Sequence, residues 1–175
     1  MKKWALILLG ALAAVVLIVF LMGRRLPREH MAMVRAHYHQ PADSIYNAIA
    51  DVAAYPKWRP DVKSVEILPA RNGREAWRES YGRMSIDFEG TVAVPPTRWV
   101  ATITTRDAGF SGYWSYQIIP DSSGTTVTIT EEGSVESPFF RFMMRYVMGP
   151  YATLEKFQRN LGVRFGETVQ PARIS

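Results

Sequence analysis

The 175 residues carry 21 basic and 16 acidic side chains, are 47% hydrophobic and include no cysteine. That length allows one domain with short additions, and the lack of cysteine excludes disulfides, thiolate metal sites, iron–sulfur clusters and thiol nucleophiles. Five of the basic residues (Lys2, Lys3, Arg24, Arg25, Arg28) and one acid (Glu29) fall within residues 1–30, so the rest holds 16 basic and 15 acidic residues. A near-neutral domain has no nucleic-acid footprint, and no nucleic-acid partner is expected.

Trp4 to Met22 runs for 19 residues without a charge. As a helix it spans about 28 Å, close to the hydrocarbon thickness of a bilayer. The expectation is a transmembrane anchor over 1–23 and a basic juxtamembrane linker over 24–30. A cleaved signal peptide is the rival. Cleavage after Ala11-Leu12-Ala13 leaves too short an apolar core, whereas Gly23-Arg24-Arg25 is a good stop signal. The expected location is a bacterial inner membrane, crossed once. The side of the soluble domain stays open, because basic residues flank the span at both ends. Gly10 and Ala14 supply a small-xxx-small spacing that permits helix pairing.

The domain is expected over 31–170, with 171–175 as a tail. His30 to His39 alternates and reads as a strand. Pro41-Ala-Asp-Ser opens a helix in which Ile45, Ile49 and Val52 share a face, with a further helical turn near Val52–Tyr55. Trp58-Arg59-Pro60-Asp61 reads as an irregular loop. From Val62 the period becomes two, giving strands near 62–69, 74–82, 84–94, 97–106, 111–119 and 124–133. Turns at Asn72-Gly73, Gly82-Arg83, Pro95-Pro96, Asp107–Gly109 and Asp121–Gly124 separate them. Such short connections make antiparallel neighbours. Residues 137–168 read as a long helix with a stripe of Phe140, Met144, Val147, Tyr151, Leu154, Leu161 and Phe165. Gln158 fills the one polar position, and Gly149-Pro150 kinks or breaks the helix. The fold class is therefore α+β: a curved, seven-stranded antiparallel sheet with a long helix across its concave face, preceded by one transmembrane helix. The gap between sheet and helix is a natural ligand cavity.

Three stretches resemble a known family. Pro41-Ala-Asp-Ser-Ile-Tyr-Asn-Ala-Ile-Ala-Asp-Val with Tyr55-Pro-Lys-Trp58 looks like the first helix and following loop of the START-like, or SRPBCC, superfamily. Val62-Lys-Ser-Val-Glu resembles its second strand. Thr128-Ile-Thr-Glu-Glu-Gly133 with Pro138-Phe-Phe-Arg-Phe resembles its last strand and the start of its C-terminal helix. The nearest branch is the polyketide cyclase/dehydrase and lipid-transport group. The resemblance covers about 31–168 and implies the helix-grip fold with a cavity for lipids, quinones, polyketides or sterols. It implies no shared catalytic motif.

Strand alternation nominates the cavity wall. Met84, Ile86, Phe88 and Val92 share one face, as do Trp99 with Ile103, Trp114 with Tyr116 and Ile118, and Val127 with Ile129. Trp77 and Tyr81 flank Glu79, and Glu131 follows Ile129 on the same face. Opposite them the helix is expected to present Phe140, Met144, Val147, Tyr151 and Leu154. Aromatic walls suit planar apolar ligands; the competing reading is a filled core. Glu79 is the one catalytic candidate, since a carboxylate in an apolar pocket has its pKa raised and can act as acid or base. The alternative is an ion pair with a neighbouring arginine. Trp58 gates the pocket mouth, dips into the membrane interface or packs its loop. His37 and His39 share a strand face without a third ligand, so no metal is expected. Arg141 and Arg145, one helical turn apart, face lipid headgroups, an acidic ligand group or solvent. No phosphate-binding loop, dinucleotide fingerprint or nucleophile–base pattern is present, and no cofactor is expected.

Three functions compete: binding or transport of a hydrophobic small molecule beside a membrane, a cyclase- or dehydratase-type enzyme on an apolar substrate, and an anchored protein-interaction module with a filled core.

Overall fold

In a computed structural model, residues 2–106 and 108–174 are described. Met1, Asp107 of the expected turn and Ser175 of the expected tail lie outside the described residues. Helix α1, Lys2–Arg25, is long and apolar enough to cross a membrane, and none of its apolar window is buried by the rest of the protein. Strand β1 is Glu29–Tyr38. Helix α2, Ala42–Ala50, leads through a 3-10 turn at Val52–Ala54 into the short helix α3, Tyr55–Trp58. Six strands follow: β2 (Ser64–Arg71), β3 (Arg74–Ser80), β4 (Ser85–Val94), β5 (Arg98–Ile103), β6 (Phe110–Asp121) and β7 (Gly124–Val135). Helix α4 (Pro138–Met143), a π-helical turn (Met144–Met148), helix α5 (Ala152–Arg164) and strand β8 (Ala172–Ile174) complete the chain.

One antiparallel sheet runs in the order β2-β3-β4-β5-β6-β7-β1-β8. Local chemistry explains the consecutive pairs. Asn72 and Gly73 both have positive φ, 52° and 73°, as a two-residue hairpin turn requires. The sheet has eight strands rather than seven. The extra strand, β8, lies in the expected tail and pairs three residues with β1. A run so short gives little period-two signal.

Helices α2 and α5 cover one face of the sheet. Ile45, Ile49, Leu154 and Leu161 are fully buried there with Val127 and Ile129; each such side chain contributes about 1.5–3 kcal/mol on burial. Gln158 sits among them, also fully buried, with every need met. Its Nε2 donates to the carbonyls of Val34 (3.3 Å) and Val127 (3.0 Å), and its Oε1 accepts from the Tyr38 hydroxyl. The polar gap in the apolar stripe is thus a clamp joining α5 to β1 and β7.

The break expected at Gly149-Pro150 is present, with Gly149 at φ +81°. Two further expectations are corrected. The apolar stripe does not grip the sheet along its whole length: the buried part belongs to α5, while α4 meets the sheet at β7 and buries none of its residues. Val92 does not share the inward face of Ile86 and Phe88. A β-bulge between Gly90 and Val92 adds one residue, so Val92 pairs with Val100 while Ala93 takes the place opposite inward-facing Trp99.

Candidate functional site

A cavity of about 380 Å³ lies between the concave sheet face and α5. Its apolar wall comes from alternate residues of neighbouring strands: Ile86 and Phe88 on β4, Ala101 and Ile103 on β5, Phe110 and Trp114 on β6. The register explains the alignment, because Phe88 stands opposite Ile103 and Ala101 opposite Trp114. Trp77 stacks on Phe88 with ring centres 5.5 Å apart and on Trp99 at 6.3 Å. Gly90 makes room for that stack, since a Cβ there would stand 2.7 Å from the Trp99 ring.

The other end of the cavity is polar and already paired. Glu79, 3% exposed, accepts from Trp77 Nε1 at 3.0 Å and from the Tyr81 hydroxyl at 2.6 Å, and meets Arg59 Nη1 at 3.1 Å. Arg59 is buried beneath the Tyr55 and Phe157 rings and also reaches Asp61 at 3.4 Å. Burial opposes its charge, but the Glu79 carboxylate and the nearby tyrosines outweigh this and hold the guanidinium above its ordinary range. Burial, and then the Glu79 carboxylate, push the Tyr55 and Tyr81 hydroxyls well up. Tyr116 is raised by burial and then by Tyr55. These hydroxyls stay protonated at neutral pH; Tyr55 donates to the Ile49 carbonyl at 2.7 Å and Tyr81 to Glu79. Glu131 forms a separate polar point on the wall, with His30 Nε2 at 3.3 Å and the Thr153 hydroxyl at 3.4 Å.

Of the residues predicted from sequence, the structure brings Trp77, Glu79, Tyr81, Phe88, Trp114, Tyr116 and Glu131 into the cavity lining. Trp58, Trp99, Ile129 and Leu154 are buried in the core outside that lining. Tyr151 packs partly buried against the core. Met144 lines two smaller clefts instead, and Phe140 and Val147 are 57% and 61% exposed. The break at Gly149-Pro150 is the reason, because residues before it cannot keep the direction of α5. For Glu79 the ion pair with a neighbouring arginine is observed, and its carboxylate has three partners, Arg59, Trp77 and Tyr81. Sequence reasoning missed Arg59, Tyr55, Asp61, Lys156 and Phe157 as lining residues. Phe157 stands between the stripe positions Leu154 and Leu161 and was legible as their neighbour; the loop residues carried no periodic signal. Among the described residues no group of His, Asp and Glu side chains could hold a metal ion.

Fold comparison places this architecture among START-like proteins. A START superfamily protein from Mycobacterium smegmatis is 23% identical at a TM-score of 0.57, covering 78% of this chain and 95% of that one. Norcoclaurine synthase from Thalictrum flavum is 12% identical at a TM-score of 0.60, covering 79% and 87%. The di-domain aromatase/cyclase StfQ of the steffimycin biosynthetic pathway is 10% identical at a TM-score of 0.58. The match covers 79% of this chain and 52% of StfQ, so this chain spans about half of that protein. These likenesses establish the fold. No curated protein sequence matches the chain. The sequence profile of polyketide cyclases/dehydrases and lipid-transport proteins does match, over residues 39–154, from the end of β1 through the cavity-bearing sheet into α5. With a lined cavity on the concave face of a START-like sheet, the chain belongs to the polyketide cyclase/dehydrase and lipid transport family.

Proposed function

We propose that this protein binds a hydrophobic small molecule in the cavity under α5, beside a membrane to which α1 anchors it. The observation that carries this reading is the cavity itself: about 380 Å³, walled by Phe88, Ile103, Phe110 and Trp114, with one polar end. That volume suits a ligand of drug-like size, and aromatic walls favour a planar or partly unsaturated one. The polar end orients the ligand: the Tyr55 and Tyr81 hydroxyl protons are committed to the Ile49 carbonyl and Glu79, which leaves the Tyr116 hydroxyl and the Lys156 ammonium to donate to a carbonyl, carboxylate or hydroxyl. The family supports the ligand class, since it groups cyclases and dehydrases with lipid transport. The cavity counts against an interaction module with a filled core. An anchor fits the ligand class physically, because a pocket held at the bilayer surface meets a membrane-dissolved molecule at high effective concentration.

A photoactivatable apolar diazirine probe, presented to the full chain in lipid nanodiscs, tests the reading. Crosslinks at Phe88, Ile103 or Trp114 that total lipid extract competes away are expected. Ile103→Trp, which fills the cavity, should abolish them. Labelling confined to α1, or unaffected by Ile103→Trp, would sink the proposal.

Catalysis on such a ligand is the second reading, and one observation favours it. Glu131 stands on the cavity wall and pairs with His30 of the adjoining clefts, and among the described residues no arginine pairs with Glu131 as Arg59 does with Glu79. Turnover that survives Glu79→Gln but not Glu131→Gln would place the chemistry there.

A further inference from the structure

The segment 138–148 is the most unusual surface of the protein. Phe139, Phe140, Tyr146, Val147 and Met148 are each more than half exposed, although sequence periodicity places Phe140 and Val147 among them on the stripe facing the sheet. No acidic residue occurs from Ser137 to Leu154, while Arg141 and Arg145 punctuate the apolar run. An apolar face with basic residues and no acids is the composition of a helix lying in a membrane interface.

Its position agrees. Helix α4 packs directly against the end of α1. Gly23 is buried in this contact, and a Cβ there would overlap the Pro138 carbonyl. Arg141 reaches across to donate to the Leu26 carbonyl at 2.6 Å, tying the segment to the chain leaving α1. The exposed aromatic residues therefore continue the apolar surface of α1 at the level of Arg24 and Arg25, where an anchor would leave the hydrocarbon.

We infer that residues 138–148 are a second membrane-seated element. They lie in the headgroup–acyl boundary beside the anchor, with Phe139, Phe140, Val147 and Met148 toward the lipid chains and Arg145 toward anionic headgroups. This rests on the membrane-anchored reading above and adds a fixed orientation of the domain. The orientation points a row of openings at the lipid. A cleft of about 100 Å³ between Leu26, Pro27, Met144 and Pro150 begins at the anchor. A second, of about 110 Å³, shares His30, Val135 and Met144 with the first and Ile103, Phe110, Trp114 and Glu131 with the main cavity.

The cysteine-free chain permits a direct test. Single variants Phe140→Cys and Val147→Cys of the full chain, labelled with an environment-sensitive fluorophore, are placed in phosphatidylcholine/phosphatidylglycerol vesicles. Leu12→Cys reports on the anchor; Val163→Cys and Ile119→Cys, exposed on α5 and β6, report on water-facing surface. Labels at 140 and 147 should be quenched by nitroxides on the lipid chains and lose their quenching by aqueous iodide, with 163 and 119 doing the reverse. If position 12 is quenched from lipid while 140 and 147 stay open to iodide, the inference fails and the anchor stands. If 140 and 147 are shielded from both quenchers, protein covers the patch and the inference fails. If position 12 is not quenched from lipid, the anchor reading falls and takes this inference with it.

Discussion

Glu79 and Arg59 illustrate how a buried ion pair behaves when one partner is lost. Both are nearly inaccessible, so Glu79→Gln leaves the guanidinium with only the more exposed Asp61 at 3.4 Å and should cost about 3 kcal/mol. Replacing both, as Arg59→Met with Glu79→Gln, should recover most of that loss, because the desolvation cost of both charges disappears while the Gln amide oxygen still accepts from Trp77 Nε1 or the Tyr81 hydroxyl. Denaturant unfolding of the detergent-solubilised full chain measures the cycle; equal damage from the single and double variants would refute the pairing. A second residue-scale expectation concerns pH. The folded state holds Tyr38, Tyr55, Tyr81 and Tyr116 protonated well above the ordinary tyrosine range, mainly through burial. An unfolded tyrosine ionises near about pH 10. Below that pH their contribution to stability is complete. Above it the unfolded chain releases protons that the folded chain retains, so stability falls as pH rises. Tyrosinate absorbance should therefore show a late, cooperative step coincident with loss of circular dichroism. Titration of all eight tyrosines near pH 10 with the fold intact would contradict this. At this scale the inward direction of Glu79 was legible, because alternation places it between Trp77 and Tyr81. Its partner was not, because Arg59 leaves an irregular loop where no period fixes side-chain direction.

The elements were mostly legible, with the failures at their irregularities. The hairpins follow from turn residues, and the break before α5 follows from Gly149-Pro150. What periodicity could not show is which half of a broken helix grips the sheet: Phe140 and Val147 continue the stripe of Leu154 and Leu161 in sequence but not in space. The bulge at Gly90–Val92 is equally silent, since one inserted residue reverses a strand's facing without changing its composition. That site gives a sharp prediction. Gly90→Ala brings a Cβ against Trp99, which is held between Trp77 and Tyr46 and has little room to yield. A loss of about 1–3 kcal/mol is expected, with altered near-ultraviolet circular dichroism from the tryptophan stack. Unchanged spectra would mean the indole moves freely. Gln158→Leu is a second test. It removes the clamp between α5 and the sheet and leaves the buried Tyr38 hydroxyl without its side-chain acceptor, so thermal unfolding should register a loss of about 1–3 kcal/mol. An unchanged unfolding temperature would show that packing alone holds α5.

For the molecule as a whole, fold class was the most legible property, since strand count, short connections and a long apolar-striped helix admit few architectures. The cavity was legible only as a consequence of that fold, because a lined void and a filled core present the same apolar alternation. The contact between α1 and α4 at Gly23 was invisible in sequence, where the glycine reads only as the end of an apolar run. It has a mechanical consequence. A helix that spans a bilayer tilts to match its apolar length to the local thickness, by fractions of a kcal/mol per Å of mismatch. Pro138 seated on Gly23 and Arg141 holding the Leu26 carbonyl tie the domain to the end of α1 at two points. On the proposed anchored reading, a change in membrane thickness would therefore lean the whole domain, and the fluidity and composition of the surrounding lipid would set the angle at which its cavity meets the surface.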